Sequence, residues 1–114
     1  MKVRVLSVAL MFGTVLAWPQ LASAQDAVAK GAALYASQKC SVCHSVEGKG
    51  NAKGPLDAVG LKFTAAELHQ WLDDPAAMSA KVKATRKPPM KSYKSLSQAD
   101  KDALVAWMQT LKKK

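Results

Sequence analysis

The stretch Cys40-Ser41-Val42-Cys43-His44 decides how the whole sequence is interpreted. Two thiols spaced by two residues, with an imidazole directly after them, form a CxxCH motif. Four kinds of site fit such a motif: a covalently attached c-type haem, a thioredoxin-like redox pair, a zinc site and a plain disulfide. The rest of the sequence discriminates between them.

Three of these sites need a structural context or a set of ligands that the surrounding sequence does not favour. A thioredoxin-like pair belongs to a βαβ unit, and the chain has no strand-like alternation. A zinc site would have to combine the motif with His69, but adjacent Cys43 and His44 suit a closed tetrahedron poorly. Two cysteines form one disulfide at most. CxxCH is, by contrast, the attachment signature of haem c, in which both thiols add to vinyl groups and the histidine binds iron.

The first 24 residues differ in composition from the rest and predict a secretory signal peptide. Residues 1–4 are short and basic, Val5–Trp18 is an apolar run of 14 residues, and Ala22-Ser23-Ala24 is a small-residue triplet. Because a membrane-spanning helix needs about 20 apolar residues, we expect cleavage rather than anchoring. The expected product is one periplasmic domain, residues 25–114, without stable membrane insertion.

That predicted domain is poor in the side chains that normally build a core. Leu, Val and Phe make up about 17 per cent of its residues, Ile is absent and the net charge is +7, a composition typical of disorder. Ordering a chain of this length costs on the order of 135 kcal/mol at about 1.5 kcal/mol per residue. A single disulfide compensates little of that cost, so a cofactor such as haem is expected to complete the core.

Capping residues and apolar periodicity predict an all-α fold with three to four helices around one covalently bound haem. The first helix is predicted from Asp26 to about Gln38. Thr64 with Glu67 forms a capping box for a helix over 65–73, whose extension Pro75 limits, and the Ala-rich stretch from Pro75 is expected to add one helical turn. Ser97 with Asp100 forms a second box, before the clearest amphipathic helix. Residues 45–62 contain several glycines without periodicity and predict a long ordered loop.

Met90 is the predicted second axial ligand of the iron. It follows two prolines at positions 88 and 89, which exclude an ordinary helix and favour an extended path across the distal haem face. The other side chains with suitable chemistry are Met78, Met108 and His69. The first suits packing in an Ala-rich stretch and is the reserve candidate, the second lies on an apolar stripe, and the third is expected to face water.

Three features spread along the chain resemble the class I monohaem cytochromes c. An early CxxCH is followed about ten residues later by Gly54-Pro55-Leu56, and Pro88-Pro89-Met90 precedes a terminal helix that carries an aromatic residue. The resemblance covers residues 26–112. It implies the cytochrome c-like fold and a soluble electron carrier rather than an enzyme.

The resemblance also implies roles for individual residues. Gly54-Pro55-Leu56 is well placed to supply a carbonyl that accepts a hydrogen bond from the proximal His44, and the resemblance assigns this role to Pro55. Met90 would be the distal ligand. The first and last helices would cross through three residues, namely Gly31, Tyr35 and Trp107. Trp71 and Tyr93 either line the haem and reach a propionate or simply pack, and spacing alone does not decide between the two roles.

Ligation by His and Met leaves the iron no open position, so we expect the haem to exchange single electrons. Lysines are predicted to surround its exposed edge: Lys39, Lys49, Lys53, Lys87, Lys91 and Lys94. Such a basic collar favours redox partner proteins with acidic faces. The alternative is a gas-binding, sensing or weakly peroxidatic haem protein with a displaceable sixth ligand. Nucleic-acid binding is not expected, because no recognition motif occurs, and a monomer is the expected state.

Overall fold

The structure is a computed structural model that describes residues 19–114. In this part of the chain the α-helices are α1 (Pro19–Ser37), α2 (Val59–Lys62), α3 (Ala65–Asp73), α4 (Pro75–Lys81) and α5 (Gln98–Gln109). One turn of 3₁₀ helix, Cys40–Val42, precedes a hairpin of two-residue strands, β1 (Ser45–Val46) and β2 (Lys49–Gly50). The predicted all-α class is confirmed, with three longer helices and two short ones.

The first helix begins earlier than the sequence analysis predicts. It starts at Pro19 rather than at Asp26, because proline suits the first turn of a helix and residues 20–25 hold no helix breaker. Most of the predicted signal peptide, residues 1–18, lies outside the described residues, so the leader and its cleavage point stay predictions. None of the helices in the described part is long and apolar enough to cross a membrane.

The helix starts of α3 and α5 follow from their capping residues. At α3 the box is complete, because the Glu67 backbone N–H donates to Thr64 Oγ1 and the Thr64 N–H donates to the Glu67 carboxylate. At α5 only half of the box forms: the Asp100 N–H donates to Ser97 Oγ. The Asp100 carboxylate instead lies 2.7 Å from Lys30 Nζ on α1. The second predicted box is therefore a single cap joined to a salt bridge.

Helices α1 and α5 form the main helix–helix contact and cross at Gly31. A Cβ at this position would lie 2.6 Å from Trp107 Cβ and closer still to the Ala103 carbonyl oxygen. Because only glycine lets the two backbones approach so closely, the crossing depends on it. The rings of Tyr35 and Trp107 stack beside it with centroids 4.8 Å apart. The predicted contact between first and last helices is confirmed.

The core lies where α5 faces α2 and α3. Its buried members are Val59, Leu68, Leu72, Leu104, Val105 and Met108. At the edge of this cluster Lys101 is 7 % exposed, and its ammonium donates to Asp73 Oδ1 at 2.7 Å. A buried lysine is tolerated because its charge is paired. The pair fixes α5 against the end of α3.

The predicted long loop over residues 45–62 contains more structure than expected. Val46 and Lys49 pair across Glu47 and Gly48, which both have positive φ, as a tight hairpin requires. The Glu47 N–H is held by Asp57 Oδ1 at 2.7 Å. The chain then forms α2, whose Gly60 N–H donates to the Leu111 carbonyl. These contacts hold the loop in a defined shape beside the CxxCH turn.

Candidate functional site

The CxxCH motif occupies one tight turn directly after α1. Lys39 adopts a left-handed conformation, with φ 57° and ψ 36°, and so redirects the chain where the helix ends. The His44 N–H then donates to the Cys40 carbonyl at 2.8 Å. Both thiols are free; Cys40 is half-buried and Cys43 is exposed. The turn therefore presents two thiols and one imidazole on a few residues of ordered backbone.

The His44 ring is oriented by a backbone carbonyl. Its Nδ1 lies 3.0 Å from the Gly54 oxygen. Because a carbonyl oxygen only accepts, Nδ1 carries the proton and the Nε2 lone pair is free to bind a metal. Burial lowers the pKa of His44 and the nearby Arg86 charge lowers it further, against the opposite effect of the Gly54 hydrogen bond. The ring is thus held in the neutral form that ligates iron.

The acceptor for His44 differs from the predicted one. The prediction that the Pro55 carbonyl accepts from His44 is wrong, because the Gly54 carbonyl holds this position. Ser45 and Pro55 form a parallel bridge, in which the Ser45 N–H donates to Gly54 and the Leu56 N–H donates to Ser45. In a parallel bridge of this kind, the residue between the two bonded peptide groups, here Pro55, directs its own carbonyl away from the partner strand. Pro55 consequently shapes the turn but does not bond to the ring.

Tyr93 lies beside the first cysteine. Burial raises the pKa of the Cys40 thiol, while the Tyr93 hydroxyl and the Lys91 charge act in the opposite direction. Burial also raises the pKa of Tyr93, and the neighbouring Cys40 adds to the increase. Lys91 Nζ lies 5.2 Å from the centre of the Tyr93 ring. The segment that follows Met90 therefore reaches the CxxCH turn.

Trp71 has a buried polar atom without a partner in the described structure. Its indole ring packs edge-on against Phe63, with centroids 5.8 Å apart. Its Nε1 is buried and makes no hydrogen bond. An indole N–H can only donate, and leaving such a donor buried and unpaired costs about 1–3 kcal/mol. The atom therefore suits an acceptor supplied from outside the protein chain.

The four candidates for a second iron ligand occupy different environments. Met78 is 0 % exposed, and Met108 is 8 % exposed and belongs to the core cluster. His69 is predicted to face water, but its side chain is only 28 % exposed and its Nε2 lies 3.1 Å from Asp102 Oδ1. Met90 is half-buried at the edge of the core, in a segment without helix or strand. Among the three methionines, Met90 alone is not buried.

The competing interpretations of the motif find no support in the described residues. No group of three or more His, Cys, Asp or Glu side chains within residues 19–114 is arranged to hold a metal ion. Cys40 and Cys43 form no disulfide. The strands in this part of the chain are a two-residue antiparallel pair and do not form a βαβ unit.

Comparison with known proteins identifies the family. The family model for cytochrome c matches residues 28–112. This chain belongs to the cytochrome c family. No curated protein and no solved structure matches it. Membership confirms the resemblance to class I cytochromes c and the cytochrome c-like fold, and it establishes haem c, with its iron, as the cofactor.

The residues of this cytochrome c fit a covalently bound haem. Two free thiols stand next to a histidine whose Nε2 is available. The unpaired Trp71 Nε1 is suited to donate to a haem carboxylate. A large apolar ring also supplies the apolar surface that the composition lacks. Cys40, Cys43 and His44 are thus the residues that would hold the haem.

The structure decides which carbonyl of Gly54-Pro55-Leu56 orients His44, and it adds to this cytochrome site one residue that the sequence does not indicate. Gly54 is the acceptor for His44, and Arg86 lies against Gly54, with its guanidinium carbon 3.0 Å from where a Cβ of residue 54 would stand. The Cys43 carbonyl flanks the same point. The basic, proline-containing sequence around Arg86 is visible as a charged stretch, but nothing in it indicates contact with a loop some thirty residues earlier.

Proposed function

We propose that this protein is a one-electron carrier whose haem iron is ligated by His44 and Met90. In this proposal the haem is attached through Cys40 and Cys43. Membership of the cytochrome c family supports electron transfer by haem c. The observation that supports the proposed ligation is the hydrogen bond from His44 Nδ1 to the Gly54 carbonyl, because it leaves Nε2 as a ligand of fixed orientation.

The environment of Met90 supports its assignment as the second ligand. Met78 and Met108 are buried, where packing in the core is the ordinary role of a methionine side chain. Met90 combines partial exposure with a non-helical segment that also approaches Cys40 through Tyr93. A thioether ligand favours ferrous iron and raises the reduction potential relative to two histidines.

The chain's own residues restrict what the haem does. Haem supplies reversible one-electron chemistry when it is bound. Ligands from both sides leave no coordination position for a substrate, so the protein's contribution is to hold its ligands in one geometry for both oxidation states. Trp71 is proposed to donate its buried N–H to a propionate. Tyr93 is proposed to line the ring edge near Cys40.

The surface beside the motif supports docking of acidic redox partners. Val42 lies between the two cysteines and its side chain is 68 % exposed, which provides an apolar contact next to the attachment site. The surrounding lysines are all exposed: Lys39, Lys49, Lys53, Lys87, Lys91 and Lys94. Opposite charges on a partner would steer the encounter. We further propose that the protein acts in the periplasm as a monomer, on the strength of the predicted leader.

Absorption of the ferric, haem-loaded protein tests the ligand assignment. We expect the weak red band of a methionine–iron bond in the native protein and its loss in Met90→Ala. Met78→Leu is the matched control, since it removes another sulfur while nearly conserving volume in the core, and it should keep the band.

Carbon monoxide provides the complementary measurement on the ferrous protein. The native form should bind it poorly and Met90→Ala should bind it readily, because only the variant has an open position. A red band that persists in Met90→Ala would refute methionine ligation by this residue. Ready binding by the native protein would favour the gas-binding alternative instead.

A further inference from the structure

The segment that carries Met90 has few backbone anchors. On its N-terminal side, the last backbone hydrogen bond is donated by the Ala84 N–H to the Ser79 carbonyl. On its C-terminal side, the first is donated by the Tyr93 N–H to the Leu72 carbonyl. Residues 85–91 make no backbone–backbone hydrogen bond within the described part of the chain. Two prolines explain part of this, since they lack an N–H. Side chains must therefore supply much of what holds the segment in place.

Arg86 is the side chain of this segment that reaches the opposite ligand loop. Its guanidinium packs against Gly54, the residue whose carbonyl orients the His44 ring. The space that the guanidinium occupies is available only because residue 54 has no side chain. Arg86 precedes Met90 by four residues, and Gly54 follows His44 by ten. This contact thus connects the segment of one axial ligand to the loop of the other.

We propose that Arg86 is a positioning residue that fastens the Met90 segment to the His44 loop and thereby keeps Met90 on the iron. The inference rests on the proposed His44 and Met90 ligation. A guanidinium is suited to this role because it is planar and always charged, and the absence of a side chain at residue 54 lets it lie against the backbone there. Without the contact, the segment keeps the packing of Met90 at the edge of the core but loses this link to the His44 loop.

Opening of the segment has a measurable consequence. An external ligand binds the iron only in molecules whose Met90 has left, so its apparent affinity is proportional to the open fraction. Imidazole is a suitable probe for the ferric, haem-loaded protein. A looser Met90 segment also lowers the reduction potential, because the thioether ligand favours ferrous iron.

The experiment compares Arg86→Ala with Lys83→Ala. Both positions are exposed, both changes remove one positive charge, and the two residues lie three apart. We expect Arg86→Ala to bind imidazole about tenfold more tightly than the native protein, which corresponds to a tenfold larger open fraction. Its reduction potential should fall further than that of Lys83→Ala. Equal imidazole affinities in the two variants would overturn the role of Arg86.

Failure of this inference is distinguishable from failure of the proposed function. If the native protein lacks the red methionine–iron band, or binds imidazole as tightly as Met90→Ala does, then the ligand assignment itself is wrong. If the native band is present and Arg86→Ala behaves like Lys83→Ala, only the positioning role is refuted. Far-ultraviolet circular dichroism of both variants checks that each remains folded.

Discussion

The indole of Trp71 is the residue whose environment most directly indicates a missing partner. Its Nε1 is buried without a hydrogen bond in the described structure, although its ring packs well against Phe63. Buried donors are almost always paired in native proteins. A haem carboxylate would pair this one, and a hydrogen bond to a charged group contributes about 1.5–3 kcal/mol.

Replacement of Trp71 by phenylalanine tests that pairing. In the haem-loaded protein we expect Trp71→Phe to lower the free energy of unfolding by about 2 kcal/mol. Removal of a donor also raises the pKa of the carboxylate it served, so the pH dependence of the reduction potential should shift to higher pH. Phe63→Leu is the control, because it weakens packing against the same ring but removes no donor. An unchanged pH profile in Trp71→Phe would contradict the propionate contact.

For individual residues, the sequence predicts the chemical role of a side chain better than it predicts the contacts that orient it. The CxxCH spacing identifies Cys40, Cys43 and His44, because the motif itself encodes their chemistry. The carbonyl that orients His44 belongs to Gly54 rather than to Pro55. Which of the two carbonyls faces the ring depends on the direction of the peptide groups in the parallel bridge. The tertiary fold sets that direction, so the sequence alone could not predict the acceptor. The same holds for Arg86, whose contact with Gly54 joins distant segments.

At the level of elements, the crossing of α1 and α5 depends on one glycine. A Cβ at position 31 would collide with backbone atoms of Ala103 and with Trp107. We expect Gly31→Ala to lower the free energy of unfolding by about 1–3 kcal/mol, because the helices must separate to admit it. Ala33→Leu, on an exposed position of α1, is the control. Guanidinium denaturation of the haem-loaded proteins measures both; equal stability of Gly31→Ala and the native protein would contradict the close approach.

Elements with capping signals were predictable, and those built on unusual turns were not. The predicted bounds of α3, residues 65–73, agree with the structure because Thr64 and Glu67 fix its start and Pro75 limits its extension. The hairpin of β1 and β2 has Glu47 at a position with positive φ, where asparagine, aspartate or glycine is usual. Its turn therefore carries no sequence signal. The Asp57 side chain that stabilises it comes from ten residues later.

For the whole molecule, the shortage of core-forming side chains predicts that folding depends on haem. Leu68 and Met78 are the largest fully buried side chains among the described residues, which is a small interior for a chain of this length. We expect the double variant Cys40→Ala with Cys43→Ala to be largely unfolded when it is produced without covalent haem. Circular dichroism with thermal melting measures this. A helical, cooperatively melting haem-free form would show that the protein core suffices alone.

The pairing of α1 with α5 closes a long loop of chain. The two helices are the first and last of the described part, and the motif, the Gly54 turn and the Met90 segment all lie between them. Bringing such distant helices together costs loop-closure entropy, and this free-energy cost is offset only when the interface between the helices has formed. Because the segments that carry His44 and Met90 lie between the two helices in the chain, we expect both ligands to loosen when α1 and α5 separate.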